Sequence, residues 1–315
     1  MIRFFLFISL LASLLEAKTI SRTQIIMSTY INIMLEKEDK AYMEDAFNIF
    51  KDIDKSLSSF DESSKIYKLN HILHVELDKY TYEALILSQK YYKETNGYFD
   101  VSIGSITKDL YKFGSDERVP SKLELLNAKV DFSALHVELK KASITYGMKI
   151  DLGGMGKGFA VDKANQFFRT KGIKKGIISA SGDIRCLSTC RMEVKNPFVN
   201  DSLVSFYTTK DDLGISTSGN YNRYVQSKEN NHLINPKQKK PQTKFISITL
   251  VGSIPSADLD AYATAASVMP IKKAYEFLDS IGVGYIVLQS DKKLFISKNI
   301  KEYTKDLVVN YAAKK

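Results

Sequence analysis

A chain of 315 residues with 44% apolar and 11% aromatic content can bury a substantial core, which excludes a disordered polymer. Its 45 basic and 36 acidic side chains leave a net charge of +9, but the lysines are scattered and lack an interleaved aromatic stripe, which speaks against a nucleic-acid groove. Two cysteines, Cys186 and Cys190, make a poor zinc site and fit a small hairpin disulfide in an exported protein.

Met1-Ile2-Arg3 leads into an apolar run from Phe4 to Leu15, which suits a signal-peptide core better than a full membrane span. Ala17 is the candidate cleavage point, and the bulk of Leu15 leaves an uncleaved anchor as the alternative. Residues 1–17 are therefore read as signal peptide or N-terminal anchor and residues 18–315 as the working domain. The expected address is the periplasm, with the inner membrane as the site of any anchoring.

The next segments alternate between strand-like and helix-like spacing. Thr23 to Leu35 is dense in β-branched residues and predicts a strand; Met43, Ala46, Phe50 and Ile53 predict a helix from about Glu38 to Leu57. A second helix is expected from Tyr80 to Thr95, stopped by Asn96-Gly97. Strands are expected at Val137–Leu139 and Ile144–Ile150, then a glycine-rich turn, a helix over Phe159–Thr170 and a strand over Gly176–Ala180. The C-terminal third predicts a strand at Phe245–Val251, helices at Leu259–Val268 and Ile271–Ile281, and strands at Tyr285–Gln289 and Leu294–Ser297. No repeat or linker interrupts this order, so one compact α+β unit is expected.

Three segments carry candidate chemistry. In Asp151-Leu152-Gly153-Gly154-Met155-Gly156-Lys157-Gly158, glycines between a strand and a helix allow close approach of the backbone to an anion. The run matches neither the dinucleotide fingerprint nor the Walker pattern, and a plain tight turn is the alternative. In Ser256 to Thr264, Asp260 and Thr264 stand one helical turn apart and offer oxygens to a hard cation such as magnesium facing a diphosphate; Asp260 as a helix cap is the competing reading. Gly214 to Tyr221 and His232 to Pro236 add hydroxyls and an imidazole in turn-rich surroundings.

Taken together, these residues resemble the ApbE-type FAD:protein FMN transferase family. The match runs through Met27-Ser28-Thr29, Leu57 to Phe60, Ser64 to Asn70, Gly97-Tyr98-Phe99-Asp100, Asp151 to Asp162, Ser181 to Arg185, Thr217-Ser218-Gly219, His232 to Pro236 and Asp260 to Thr264, in order over nearly the whole mature chain. The resemblance implies an α+β, T-fold-like architecture with mixed sheets covered by helices, one compact unit of two tightly packed halves. It implies that Asp260, Thr264 and the carbonyl of Gly156 ligate magnesium. The FAD shell would draw on Met27, Ser59, Asn70, Asp100, Asp151, Gly156, Lys157, Asp162, Thr217, Ser218 and His232.

The sequence departs from the family pattern where Asn235 replaces an acid, where Ser181 replaces a glycine and where Gly156 replaces an alanine; the lipobox is also missing. The implied reaction is attack of a threonine or serine hydroxyl of an exported or membrane flavoprotein on the FMN-side phosphorus of FAD, with AMP leaving. His232 is the candidate base, while Lys157 and Asp260 serve the phosphate charge and the metal. An FAD diphosphatase and a non-catalytic exported FAD-binding protein are the rival readings.

Overall fold

The computed structural model describes residues 18–311, so the segment read as signal or anchor lies outside the described residues. In chain order, the first half comprises β1 (Thr19–Ile26), β2 (Thr29–Glu36), α1 (Met43–Leu57), α2 (Lys65–Ile72), β3 (His74–Glu76), α3 (Lys79–Glu94), α4 (Gly104–Thr107), α5 (Lys122–Asn127), β4 (His136–Glu138) and β5 (Lys141–Ser143). After these come α6 (Gly156–Thr170), β6 (Gly176–Ala180), β7 (Asp183–Cys186), β8 (Arg191–Lys195), β9 (Ser202–Thr208), β10 (Leu213–Gly219), β11 (Ile234–Asn235) and β12 (Lys240–Pro241). The chain closes with β13 (Phe245–Gly252), α7 (Ser256–Val268), α8 (Ile271–Ser280), β14 (Gly284–Gln289), β15 (Leu294–Ile296) and β16 (Thr304–Val309).

The fold is α+β, as expected. Its centre is an eight-stranded sheet in the order β1-β2-β6-β7-β10-β13-β14-β15. Every ladder between these strands is antiparallel; a parallel pairing occurs as an isolated bridge between Ile103 and Lys149. One face carries α6 and α7, and Ile33, Ile178, Ile248 and Leu250 pack with them in the main core. The other face is covered by the three-stranded sheet β16-β9-β8, with Met192, Val194 and Phe206 packed in one cluster with Ile215, Val251, Ile286 and Leu288. Burial on both faces explains why β14 reads as a continuous apolar run, and why Ser247 and Thr249 of β13 are buried between its apolar residues.

Several boundaries differ from the sequence expectation for identifiable reasons. Thr23–Leu35 is not one strand: Met27 and Ser28 both adopt left-handed φ, 56° and 55°, and turn the chain into the β1–β2 hairpin. Two such residues make the loop that fits hairpin twist, but without the Asn or Gly that normally announces it. Ile144–Ile150 is not a strand either; the extended run ends at Ser143 and Gly147 turns the chain at φ 77°. The helix placed at Glu38 opens as a 3-10 segment over Lys37–Tyr42 before α1 begins. α5 falls in a stretch with no expected element, where Ser121 and Glu124 form a reciprocal capping box. Cys186 and Cys190 are bonded, tying the end of β7 to the start of β8.

Candidate active site

The glycine-rich segment feeds directly into α6, whose first residue is Gly156 rather than the expected Phe159. One close approach requires glycine here and a second is tight. A Cβ on Gly158 would lie 2.3 Å from the Ser256 carbonyl, so α6 and α7 touch backbone to backbone at that point. A Cβ on Gly154 would lie 3.0 Å from Cγ2 of Thr264. The two helix starts are thereby pressed together at the edge of a cleft of about 1000 Å³.

α7 begins at Ser256, three residues before the expected Leu259, so Asp260 is an interior helix residue and not a cap. Every residue of α7 except Thr264 is buried, and Thr264 faces the cleft together with Asp260. Asp258, two positions earlier, points elsewhere: it takes Lys90 Nζ and the Tyr91 hydroxyl of α3, each at 2.7 Å. Period-3.6 geometry thus separates one structural acid from one cleft acid on the same helix turn.

Asp260 Oδ2 accepts the Gly158 N–H at 3.1 Å and lies 3.4 Å from Lys157 Nζ. Lys157 also pairs with Asp183 at 3.0 Å, and Asp183 accepts the Ser216 hydroxyl at 2.5 Å. Two buried carboxylates therefore share one ammonium. Burial first, and the Asp183 charge second, push the Asp260 carboxyl up to about 7. The same two carboxylates outweigh burial at Lys157 and hold its ammonium above the ordinary lysine range.

His232 also lines the cleft, with Nδ1 3.1 Å from the Arg223 carbonyl. Donation from Nδ1 to that oxygen fixes the tautomer that leaves Nε2 with a free lone pair. Burial, reinforced by the Arg223 and Lys157 charges, lowers the imidazole to about 4, so it is neutral at physiological pH. Asp151 accepts the Gly153 N–H at 2.9 Å and the Thr107 hydroxyl at 2.6 Å; with Lys108 beside it, its carboxyl falls to about 2 despite burial.

Of the remaining expected site residues, Met27, Ser59, Asp100, Gly156, Thr217 and Ser218 all line the cleft. Ser218 and Thr264 exchange a hydroxyl hydrogen bond at 3.2 Å, and Thr217 does so with Thr249 at 2.9 Å. Asp100 accepts the Ser102 N–H at 2.8 Å. Asn70 and Asp162 do not reach the cleft. Asn70 clamps the backbone of Ile150 with both ends of its amide, at 2.9 and 2.7 Å, and so fixes the residue before Asp151. Asp162 accepts the N–H groups of Ser256 and Ala257 and holds the start of α7.

Asn235, the residue in place of an acid, is also turned away. Its amide donates to the Val268 carbonyl at 2.6 Å and its oxygen accepts two turn N–H groups at 3.0 Å, closing the C-terminus of α7. A carboxylate at this position has no proton to give Val268. The sequence reading missed Asp54, which lines the cleft and accepts the Met27 N–H at 3.1 Å, as well as Lys108 and Arg223. None of these sits in a motif; Asp54 was hidden in the polar face of α1, and only the tertiary fold brings it beside the hairpin turn.

The model of the ApbE family matches residues 27–287. A protein of Buchnera aphidicola subsp. Schizaphis graminum named FAD:protein FMN transferase is 28% identical over 250 residues, covering 70% of this chain and 71% of its own. Another of that name from Klebsiella pneumoniae is 22% identical over 302 residues, covering 90% and 95%. Among solved structures, the ApbE protein of Thermotoga maritima superposes with a TM-score of 0.84 at 22% identity, over 91% of this chain and 100% of that one. The flavin transferase ApbE of Vibrio cholerae gives 0.80 at 20% identity over the same shares. These likenesses assign the fold.

Proposed function

The chain belongs to the ApbE family, and on that premise we propose that it transfers the FMN half of FAD to a threonine or serine hydroxyl of an acceptor flavoprotein, using magnesium and releasing AMP. The observation that carries this reading is the buried Asp183–Lys157–Asp260 group beside Thr264 in the cleft wall. It holds more negative than positive charge, and its remaining donors are oxygens, which is the chemistry a hard divalent cation satisfies.

Asp260, Thr264 and the Gly156 carbonyl would hold the magnesium, which when bound would withdraw charge from the diphosphate. The chain's own groups supply the rest. His232 Nε2 accepts the proton of the acceptor hydroxyl; its oxygen bonds to the FMN-side phosphorus as the bond to the AMP oxygen breaks. Lys157 and the opening turn of α6 offset the charge that gathers on the departing phosphate. The working domain is residues 18–315, and the apolar N-terminal run together with the Cys186–Cys190 bond supports export to an oxidising compartment, where the acceptor would also be exposed.

Residues 18–315 incubated with FAD, magnesium and a flavoprotein domain bearing one loop threonine test the reading through acceptor mass and AMP release. Labelling that needs magnesium and drops at least 100-fold in Asp260→Ala supports transfer. AMP and free FMN without labelling would point instead to a diphosphatase, and intact bound FAD to a binding protein.

A further inference from the structure

The three-stranded sheet ends at β8, which pairs with β9 and, among the described residues, has no strand on its other side. Met192, Glu193, Val194 and Lys195 of this strand all line the cleft. Successive side chains of a strand point to opposite faces, so a cavity lying against one face would meet only every second residue. Contact with four in a row means that the cleft runs along the open edge of β8.

The ladder tells which main-chain groups face that edge. Thr208 donates its N–H to the Cys190 carbonyl at 2.9 Å, and the register continues through Met192↔Phe206 and Val194↔Val204. Alternation in an antiparallel pair then turns the N–H and C=O of Met192 and Val194 toward β9 and those of Arg191 and Glu193 outward. The edge is also held in place. The Cys186–Cys190 bond fastens the start of β8 to β7, whose Ile184 lines the same cleft.

Resting on the transfer reading above, we infer that the acceptor binds as an extended segment added to β8, its main chain pairing with Arg191 and Glu193 while its hydroxyl side chain enters the cleft. A protein substrate must bring a backbone-flanked hydroxyl to a phosphorus inside the cleft, and an extended strand is the form of chain narrow enough to do so. Main-chain pairing would give affinity, and Met192 and Val194, which line the cleft, would offer apolar contact to alternate side chains.

Proline at position 193 removes the outward donor while leaving the β9 ladder intact, because that N–H does not serve β9. With a flavoprotein domain carrying one reactive loop threonine as probe, Glu193→Pro should raise the acceptor KM at least tenfold more than Glu193→Ala does, with the loss in KM rather than kcat. A second measurement needs no variant of this chain. With that threonine changed to valine in the acceptor, the amides of Arg191 and Glu193 should exchange with solvent deuterium at least tenfold more slowly in the complex. Equal KM values for the two variants, or edge amides left unprotected by saturating acceptor, would overturn strand addition. Absence of labelling by the unmodified chain would instead sink the transfer reading, and docking with it.

Discussion

Asp162 and Ser256 stand 94 positions apart, and the carboxylate of the first accepts the main-chain N–H of the second at 2.7 Å. It takes the Ala257 N–H as well, at 2.9 Å, so α6 supplies the cap that α7 lacks locally, with Pro255 at its own cap position. Asp162→Ala should therefore cost about 1–2 kcal/mol in denaturant midpoint analysis and weaken magnesium-dependent FAD binding, because Asp260 and Thr264 ride on the loosened helix. Asp162→Asn, which keeps one acceptor, should lose less on both measures.

Lys157 is the shared counter-charge of Asp183 and Asp260. Lys157→Met leaves two buried carboxylates facing each other and should destabilise the fold by about 3–5 kcal/mol in the absence of metal. Millimolar magnesium should restore much of that loss, and raise the melting temperature of the variant by more than that of the parent. Equal shifts in both would show that the cation does not bind among these acids.

His232 gives a pH signature with a definite sign. Its pKa is about 4 in the fold, against about 6.5 for an unfolded chain, so between these values the unfolded state binds the extra proton. This residue's contribution to stability is complete above pH 6.5 and is lost as pH falls toward 4. His232→Asn should flatten the slope of stability against pH in that window. At saturating magnesium, kcat should hold down to about pH 5 rather than fail near 6.5, since Nε2 stays unprotonated.

Two glycines two positions apart should respond in opposite senses. Gly158→Ala drives a methyl into the Ser256 carbonyl and should cost about 1–3 kcal/mol by forcing α6 from α7. At Gly156 the nearest atom to an added Cβ is Cε of Met27, at 3.7 Å, so Gly156→Ala should be neutral or stabilise by up to about 1 kcal/mol in thermal unfolding.

What the sequence made legible follows from how local each signal is. The one-turn spacing of Asp260 and Thr264 and the glycines before Lys157 are contiguous, and both reach the cleft. Asn70 and Asp162 belong to the same matched segments, yet they serve the backbone, a distinction that depends on where Ile150 and Ser256 lie in space. β8 went unread because its alternation lasts only five residues, and β9 because the doublets Leu203-Val204 and Phe206-Tyr207 break the strand period; Met27-Ser28 hid a hairpin because neither residue favours left-handed φ. The pairing of Lys157 with Asp183 joins β7 to α6 and has no counterpart in linear spacing.

The burial of α7 also sets a timetable. Its neighbours include α3 and α6 from earlier in the chain, β7, β10 and β13, and α8 immediately after it. None of the segments that cradle Asp260 can do so until the chain has been made through α7, close to its C-terminal end, and has closed around that helix. A nascent chain thus carries the glycine turn and the histidine long before Asp260 and Thr264 can join them, so on the function proposed above FAD is safe from it until folding is finished.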